Sequence, residues 1–258
     1  MKKTTDFQQV KKVVVSLLHL PIKPTPLSPA IVSHPIFQSG AYYANNGGSW
    51  ELIPLLESED NLARVRNEIE SQINDCKTLD RLLALVLLPY QLTFLKYAKP
   101  FLSEEDFSRL LAEVWVSSEN PNCDANVSTT LAASWFREAK KDVLMTARDY
   151  EYYCALPSEF DVYRGVSVGR NPKGISWTRN FSTAHWFAHR YDTSTEFGYV
   201  QCAHIKKSRA LAYFNTRGED EVVVSTRGLK ISVLSKEEEN TLNDTNNESI
   251  CPSLREGD

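Results

Sequence analysis

The chain has 258 residues, enough to bury a substantial core as one large domain or two small ones. Hydrophobic residues at 42% and charged residues at 24% describe an ordinary soluble protein, and the longest apolar run, Leu82 to Leu88, stops at Pro89, well short of the roughly 20 residues that cross a bilayer. The net charge of −4 conceals an asymmetry: residues 1–160 carry 16 Lys/Arg against 20 Asp/Glu, residues 161–234 carry 11 against 6, and residues 235–258 carry 2 against 7.

The basic stretch is where an anionic ligand is expected, either a dinucleotide pyrophosphate or a nucleic-acid backbone. The five cysteines (Cys76, Cys123, Cys154, Cys202 and Cys251) are odd in number and scattered, with no Cys-x-x-Cys pair. They read as reduced thiols rather than a disulfide framework or a zinc site. Met1 to Gln9 is polar, and the apolar patch Val13 to Leu20 is short and closed by Pro21. No secretory leader is expected, and the reading is a cytoplasmic protein without membrane partners.

In chain order, Val10, Val13, Val14, Leu17 and Leu18 stand at the spacing of a short amphipathic helix. Five prolines from Pro21 to Pro35 then predict an extended arm without regular structure, completing a region 1–50 in which Gly47-Gly48 forms a turn. Residues 51–157 read as helical. Leu62, Val65, Ile69 and Ile73 share a face, Leu79 to Leu88 suggests a buried helix kinked or ended by Pro89, and Ser103 caps a helix bearing Phe107, Leu110, Leu111 and Val114. Ser117 to Ser128 is a polar loop, either a connector or the lining of a cleft. Thr129 to Cys154 is helical again, with Trp135, Phe136, Ala139, Val143 and Leu144 on its apolar side, until Leu156-Pro157-Ser158 breaks it.

Residues 158–234 change character. Phe160 to Val166, Gly174 to Thr178, Tyr199 to Ile205, Arg209 to Phe214, Val222 to Val224 and Leu229 to Leu234 read as about six short strands, with one helix from Ser182 to Arg190 among them. The expected fold class is therefore α+β. Residues 235–258, rich in Glu, Asn, Ser, Asp and Thr, read as a disordered polar tail.

Three short segments of the strand-rich region carry chemistry. Glu219 and Glu221 stand two apart, after Arg217-Gly218 and before three valines that read as a buried strand. In extended chain such residues share a face about 7 Å apart, so both would point into one cleft while Asp220 turns away. Upstream lie Tyr163-Arg164-Gly165 at a strand end and Ser176-Trp177-Thr178 in a second strand. In this order, over Asp161 to Leu234, the segments resemble the Arg-Ser-Glu class of bacterial mono-ADP-ribosyltransferases.

The resemblance implies a helical N-terminal region followed by a split, mixed β-sheet catalytic lobe, with NAD as the substrate. It implies that Arg164 binds the phosphates and adjoining ribose, that the Gly165 backbone meets the nicotinamide amide, that Ser176 orients the catalytic carboxylate of Glu221, and that Glu219 serves the acceptor. The family commonly has Ser-Thr-Ser as its middle motif; Ser176-Trp177-Thr178 keeps both flanking hydroxyls. An aromatic ring normally stacks on the nicotinamide, and Trp177, Phe181 and Trp186 all qualify. Bacterial members commonly act as toxins, including toxin–antitoxin and phage-defence modules, so an antitoxin protein is a further implied partner.

The chemistry suits these residue types. Cleaving the nicotinamide–ribose bond passes through an oxocarbenium-like sugar, as glycoside hydrolysis does, and nicotinamide needs no general acid to leave. A carboxylate beside the sugar offsets the developing charge, and an arginine fork holds a diphosphate. Two alternatives remain: an NAD glycohydrolase, which needs Glu221 but not Glu219, and a module that binds a nucleotide or partner without chemistry. For the acceptor, Glu219 favours protein arginine, because the family's arginine-specific members carry glutamate there. Arg170, Lys173, Arg179, Lys206, Lys207 and Arg209 favour a polyanion such as RNA, and the lean is to nucleic acid. His185 and His189 have the spacing of a zinc pair, but no glutamate follows His185 and no third ligand is apparent, so no metal is expected.

Overall fold

The computed structural model describes residues 3–244. The chain divides after Leu110 into two compact units, a division inside the helical stretch 51–157 rather than at either of its ends.

The first unit opens with α1 (Phe7–Leu18), whose N-cap Asp6 accepts a hydrogen bond from the Gln9 amide and whose buried face holds Val10, Val14, Leu17 and Leu18. The proline-rich stretch differs from the irregular arm expected of it. β1 (Lys23–Thr25) pairs antiparallel with β2 (Ser28–Ser33), and β3 (Ala41–Asn46) with β4 (Ser49–Pro54). A two-stranded ribbon consists only of edges, so Pro24 and Pro29 interrupt no central ladder. Gly47 and Gly48 join β3 to β4 with φ of 64° and 106°, the positive values a two-residue hairpin loop requires.

Helices come next, three of them opened by a short polar side chain. Ser58 caps α2 (Glu59–Asp75), which buries Val65, Ile69 and Ile73, and Thr78 caps α3 (Leu79–Ala84). α3 is shorter than the Leu79–Leu88 helix expected; a 3₁₀ turn, Leu88–Tyr90, carries Pro89 and leads into α4 (Gln91–Ala98). Ser103 caps α5 (Glu104–Ser117), accepting from the Asp106 amide at 3.0 Å. Residues 111–117 of α5 belong to the second unit.

There α6 (Thr129–Glu138), α7 (Lys141–Leu144) and α8 (Ala147–Ala155) precede β5 (Glu159–Val166), β6 (Ser176–Thr178), α9 (Phe181–His189), β7 (Tyr199–Lys206), β8 (Ala210–Phe214), β9 (Glu221–Val224), β10 (Ser232–Val233) and α10 (Lys236–Asp244). The six strands lie in the order β10-β7-β5-β6-β9-β8, and every pairing is antiparallel. The sheet is thus not mixed, as the resemblance implied, while the α+β class stands. β5 and β7 pair from Glu159↔Lys206 to Val166↔Tyr199, whereas β5 and β6 share the register pair Tyr163↔Thr178 alone. That thin seam divides the sheet into two three-stranded halves.

β8 and β9 are buried along their whole length, and Phe136 packs edge-on between Trp115 and Phe214, with ring centroids 4.9 and 6.2 Å away. α9 crosses β5 so closely that a Cβ on Gly165 would lie 2.2 Å from the Ala184 carbonyl oxygen. Glycine is the residue that contact admits.

The polar tail is not disordered from residue 235: α10 occupies Lys236–Asp244, while residues 245–258 lie outside the described residues. Ser235 Oγ accepts from the Glu238 amide at 3.3 Å, and Glu238 Oε2 accepts from the Ser235 amide at 2.7 Å. This reciprocal capping box starts a helix even where the succeeding residues are polar, and Leu242 and Glu239 are its buried side chains. Cys76 and Cys154 are free thiols, but Cys202, buried in β7, is disulfide-bonded, so the expectation of reduced thiols throughout fails there.

Candidate functional site

A cleft opens in the second unit at the seam between the half-sheets. Arg164 and Gly165 of β5 line it from one side, and Ser176 of β6 and Glu221 of β9 from the other. Thr183 and Phe187 of α9, its C-cap Arg190 and residues 119–122 of the polar loop complete its wall. That loop is therefore cleft lining rather than a bare connector.

Glu221 sits at the head of β9, paired with Thr178 in register and 5% exposed. Its Oε1 accepts two hydrogen bonds, from Ser176 Oγ at 2.5 Å and from Trp115 Nε1 at 2.9 Å. Burial pushes its carboxyl above the usual glutamate range, and the two hydrogen bonds oppose that rise. The result is a carboxylate held in one orientation and poor in water.

Glu219 reaches the cleft by a different route from the extended pair expected. Asp220 has φ of 50°, the only positive value at a non-glycine among the described residues, so β9 begins at Glu221 and Glu219 lies in the preceding turn. Thr178 Oγ1 holds that turn by donating to the Glu219 carbonyl at 2.8 Å. Asp220 faces away, accepting from the Tyr213 hydroxyl at 2.6 Å. The Glu219 carboxylate accepts from Arg217 at 2.7 Å, and both residues line the cleft.

Arg164 is 9% exposed. Its guanidinium donates to the Ser176 carbonyl at 2.6 Å and to the Asn171 carbonyl at 3.0 Å, and Gly174 leaves it room, since a Cβ there would fall 2.2 Å from Nη2. Where the backbone ladder between β5 and β6 thins to one register pair, this side chain adds one cross-strand bond, to Ser176, and a second to the connecting loop. Two of its donors are thereby spent on the protein.

The aromatic candidates separate. Trp177 is among the lining residues, but it is 2% exposed and its Nε1 donates to the Gly174 carbonyl, so the ring is fixed within the fold. Phe181 stands edge-on to Tyr163 at 5.7 Å in the packing beneath α9 and does not line the cleft; nor does Trp186. Phe187 does, one residue beyond Trp186.

Several residues in or behind the cleft wall carried no sequence signal. Arg190 lies over the rings of Trp186, Phe187 and Tyr191 at 5.2, 4.8 and 4.7 Å, and its buried Nε has no hydrogen-bond partner among the described residues. Asn122 accepts from the Ile175 amide at 2.8 Å through Oδ1, tying the polar loop to the segment before β6. Trp115 stands 106 residues before the carboxylate it holds. Of the six basic residues that suggested a polyanion, only Arg170 lines the cleft. Arg179 donates to the Tyr152 hydroxyl, Lys207 to the Cys154 carbonyl and Arg209 to the Ser225 and Arg227 carbonyls. No helix among the described residues is long and apolar enough to cross a membrane.

Comparison of the chain with protein-family models, with curated proteins and with solved structures finds no match.

Proposed function

We propose that this chain is an NAD-dependent mono-ADP-ribosyltransferase, with Glu221 as the carboxylate that acts on the ribose and a macromolecule as acceptor. The observation that carries the reading is the bond from Ser176 Oγ to Glu221 Oε1, made inside a cleft that Arg164 and Glu219 also line. A buried, oriented carboxylate opposes positive charge far better than a solvated one.

In the reaction the bond between ribose C1′ and the nicotinamide nitrogen breaks, and its electron pair leaves with nicotinamide. Glu221 offsets the positive charge that develops on the sugar. The acceptor's nucleophile then bonds to C1′, and Glu219, at the cleft edge, takes its proton. Arg164 shares the diphosphate with Arg170, Arg190 and Arg217, which line the same cleft, and the buried Nε of Arg190 has no hydrogen-bond partner among the described residues. Phe187 is the half-buried aromatic of the cleft wall available for stacking. RNA remains the favoured acceptor on the charge of the region, although three of the six basic residues that suggested it are engaged elsewhere in the fold.

The test is incubation of the protein with adenylate-labelled NAD and a cell lysate, followed by protease, RNase or DNase. Label should enter a polymer with the wild type and not with Glu221→Gln. A Glu221→Gln variant that kept more than about a tenth of the wild-type turnover would overturn the assignment. Label recovered only as free ADP-ribose would make the protein a glycohydrolase.

A further inference from the structure

α9 presents a second flank, turned from its cleft-lining row of Thr183, Phe187 and Arg190. His185 and His189 lie on it, four residues apart, with ring centroids 4.5 Å from each other. α10 brings Glu239 against them. Glu239 Oε2 lies 2.8 Å from His189 Nε2 and 3.8 Å from His185 Nε2, and the three ligand atoms fall within 4.8 Å of one another.

The surroundings of these atoms are organised. Glu239 is 5% exposed, and its other oxygen, Oε1, accepts from the Val200 amide at 3.0 Å, which aims Oε2 at the imidazoles. His189 Nδ1 lies 2.7 Å from Asp192 Oδ2, while Asp192 Oδ1 accepts from the Gly198 amide at 2.7 Å. A carboxylate on Nδ1 keeps a proton there and turns the Nε2 lone pair toward the shared centre, the outer-shell arrangement typical of metal-ligating histidines.

A hydrogen bond to Glu239 accounts for His189, whereas His185 stands only at ion-pair distance from the same oxygen. At 3.8 Å its Nε2 is beyond hydrogen-bond range of Oε2, yet it converges on the same point. Ligand atoms around a tetrahedral ion with bonds of about 2.0–2.1 Å stand about 3.4 Å apart, and the two observed separations straddle that value. Both imidazoles are partly exposed, leaving room for water as a fourth ligand.

We propose that His185, His189 and Glu239 form a binding site for Zn²⁺ or a similar borderline divalent cation, with Asp192 as its outer-shell partner, and that the ion staples α10 to α9. None of the three ligands lines the cleft, so the role is structural and independent of the chemistry proposed there.

The test uses the whole chain, stripped with a chelator and titrated calorimetrically with Zn²⁺ at neutral pH, with Co²⁺ as a spectroscopic probe. One ion per chain, a rise in Tm on loading and the visible bands of four-coordinate Co²⁺ are expected. Asp192→Asn should weaken binding by about 10–100-fold. His185→Ala should weaken it at least as much without lowering the Tm of the metal-free protein, so this variant decides the matter even if His189→Ala fails to fold. No uptake by the wild type at about 1 mM free Zn²⁺, an affinity near −4 kcal/mol, would overturn the proposal. So would equal uptake by His185→Ala, which would assign the metal to the free thiols instead.

Discussion

Trp115 Nε1 donates to Glu221 Oε1 over 2.9 Å, the same carboxylate oxygen that accepts from Ser176 Oγ. The indole is 1% exposed and wedged edge-on against Phe136, so it has no freedom to withdraw. A helix residue thus fixes the orientation of a group on a strand, and both hydrogen bonds favour the ionised form that burial opposes. The proposed active site depends on that balance.

Trp115→Phe keeps much of the apolar packing and removes only one donor. A hydrogen bond to a charged group contributes about 1.5–3 kcal/mol, so NAD cleavage should slow by roughly 10–100-fold. The acidic limb of the pH–rate profile should also move to higher pH, because one of the two stabilisers of the carboxylate is gone. An unchanged limb would show that the indole serves packing alone.

Glu221→Gln should trade activity for stability. A carboxyl whose pKa is raised by folding contributes stability below its unfolded value and loses it as pH rises through the folded one, so ionised Glu221 costs the fold free energy at neutral pH. The variant should therefore melt at least about 2 °C above the wild type at pH 7–8, and the gap should close below about pH 4.5. Melting curves at the two pH values check both halves; a lower Tm for the variant at pH 7.5 would contradict the argument.

Glu219 is held at the cleft edge by Arg217 and is not part of the buried pair of bonds around Glu221. Glu219→Gln should depress transfer to the acceptor by about 10²-fold or more while slower NAD hydrolysis survives. Assays of polymer-bound and free ADP-ribose on one sample separate the two. Equal loss of both would place Glu219 on NAD itself.

Arg164 stitches the seam of the sheet through the Ser176 and Asn171 carbonyls. Lysine has a single nitrogen and no fork, so Arg164→Lys should lose one charge-assisted bond, about 1.5–3 kcal/mol, with a Tm fall of roughly 5 °C or more. A variant melting with the wild type but binding NAD poorly would instead make Arg164 chiefly a ligand residue.

His34, in the first unit, is 1% exposed, and its Nδ1 accepts from the Ile36 and Phe37 amides. Burial pushes its pKa down to about 4. A histidine depressed by folding contributes stability that is complete above about pH 6.5 and drains away as pH falls toward the folded value. The wild type should lose more thermal stability between pH 7 and pH 4.5 than His34→Asn, whose side-chain oxygen can still accept. Parallel pH dependences would exclude His34 as the source.

Amino-acid order on its own encodes local pattern. Alternating or continuous apolar residues placed the strands around Val162, Val200 and Val222, and Ser103 announced the start of α5, because side-chain period and end-capping act over a few residues. The nearness of Ser176 to Glu221 was legible through the order of short motifs. A local signal was also there to be read at Ser235-x-x-Glu238, whose capping box outweighs the polarity that made the tail look disordered. Packing in three dimensions decided the rest. Trp115 meets Glu221 across 106 residues, Glu239 meets His189 across 50, and the Arg164 guanidinium turns onto backbone carbonyls. None of these leaves a periodicity: each side chain takes its partner from whatever buried polar group the packed elements bring within reach, since a buried donor or acceptor left unpaired costs more than the bond contributes.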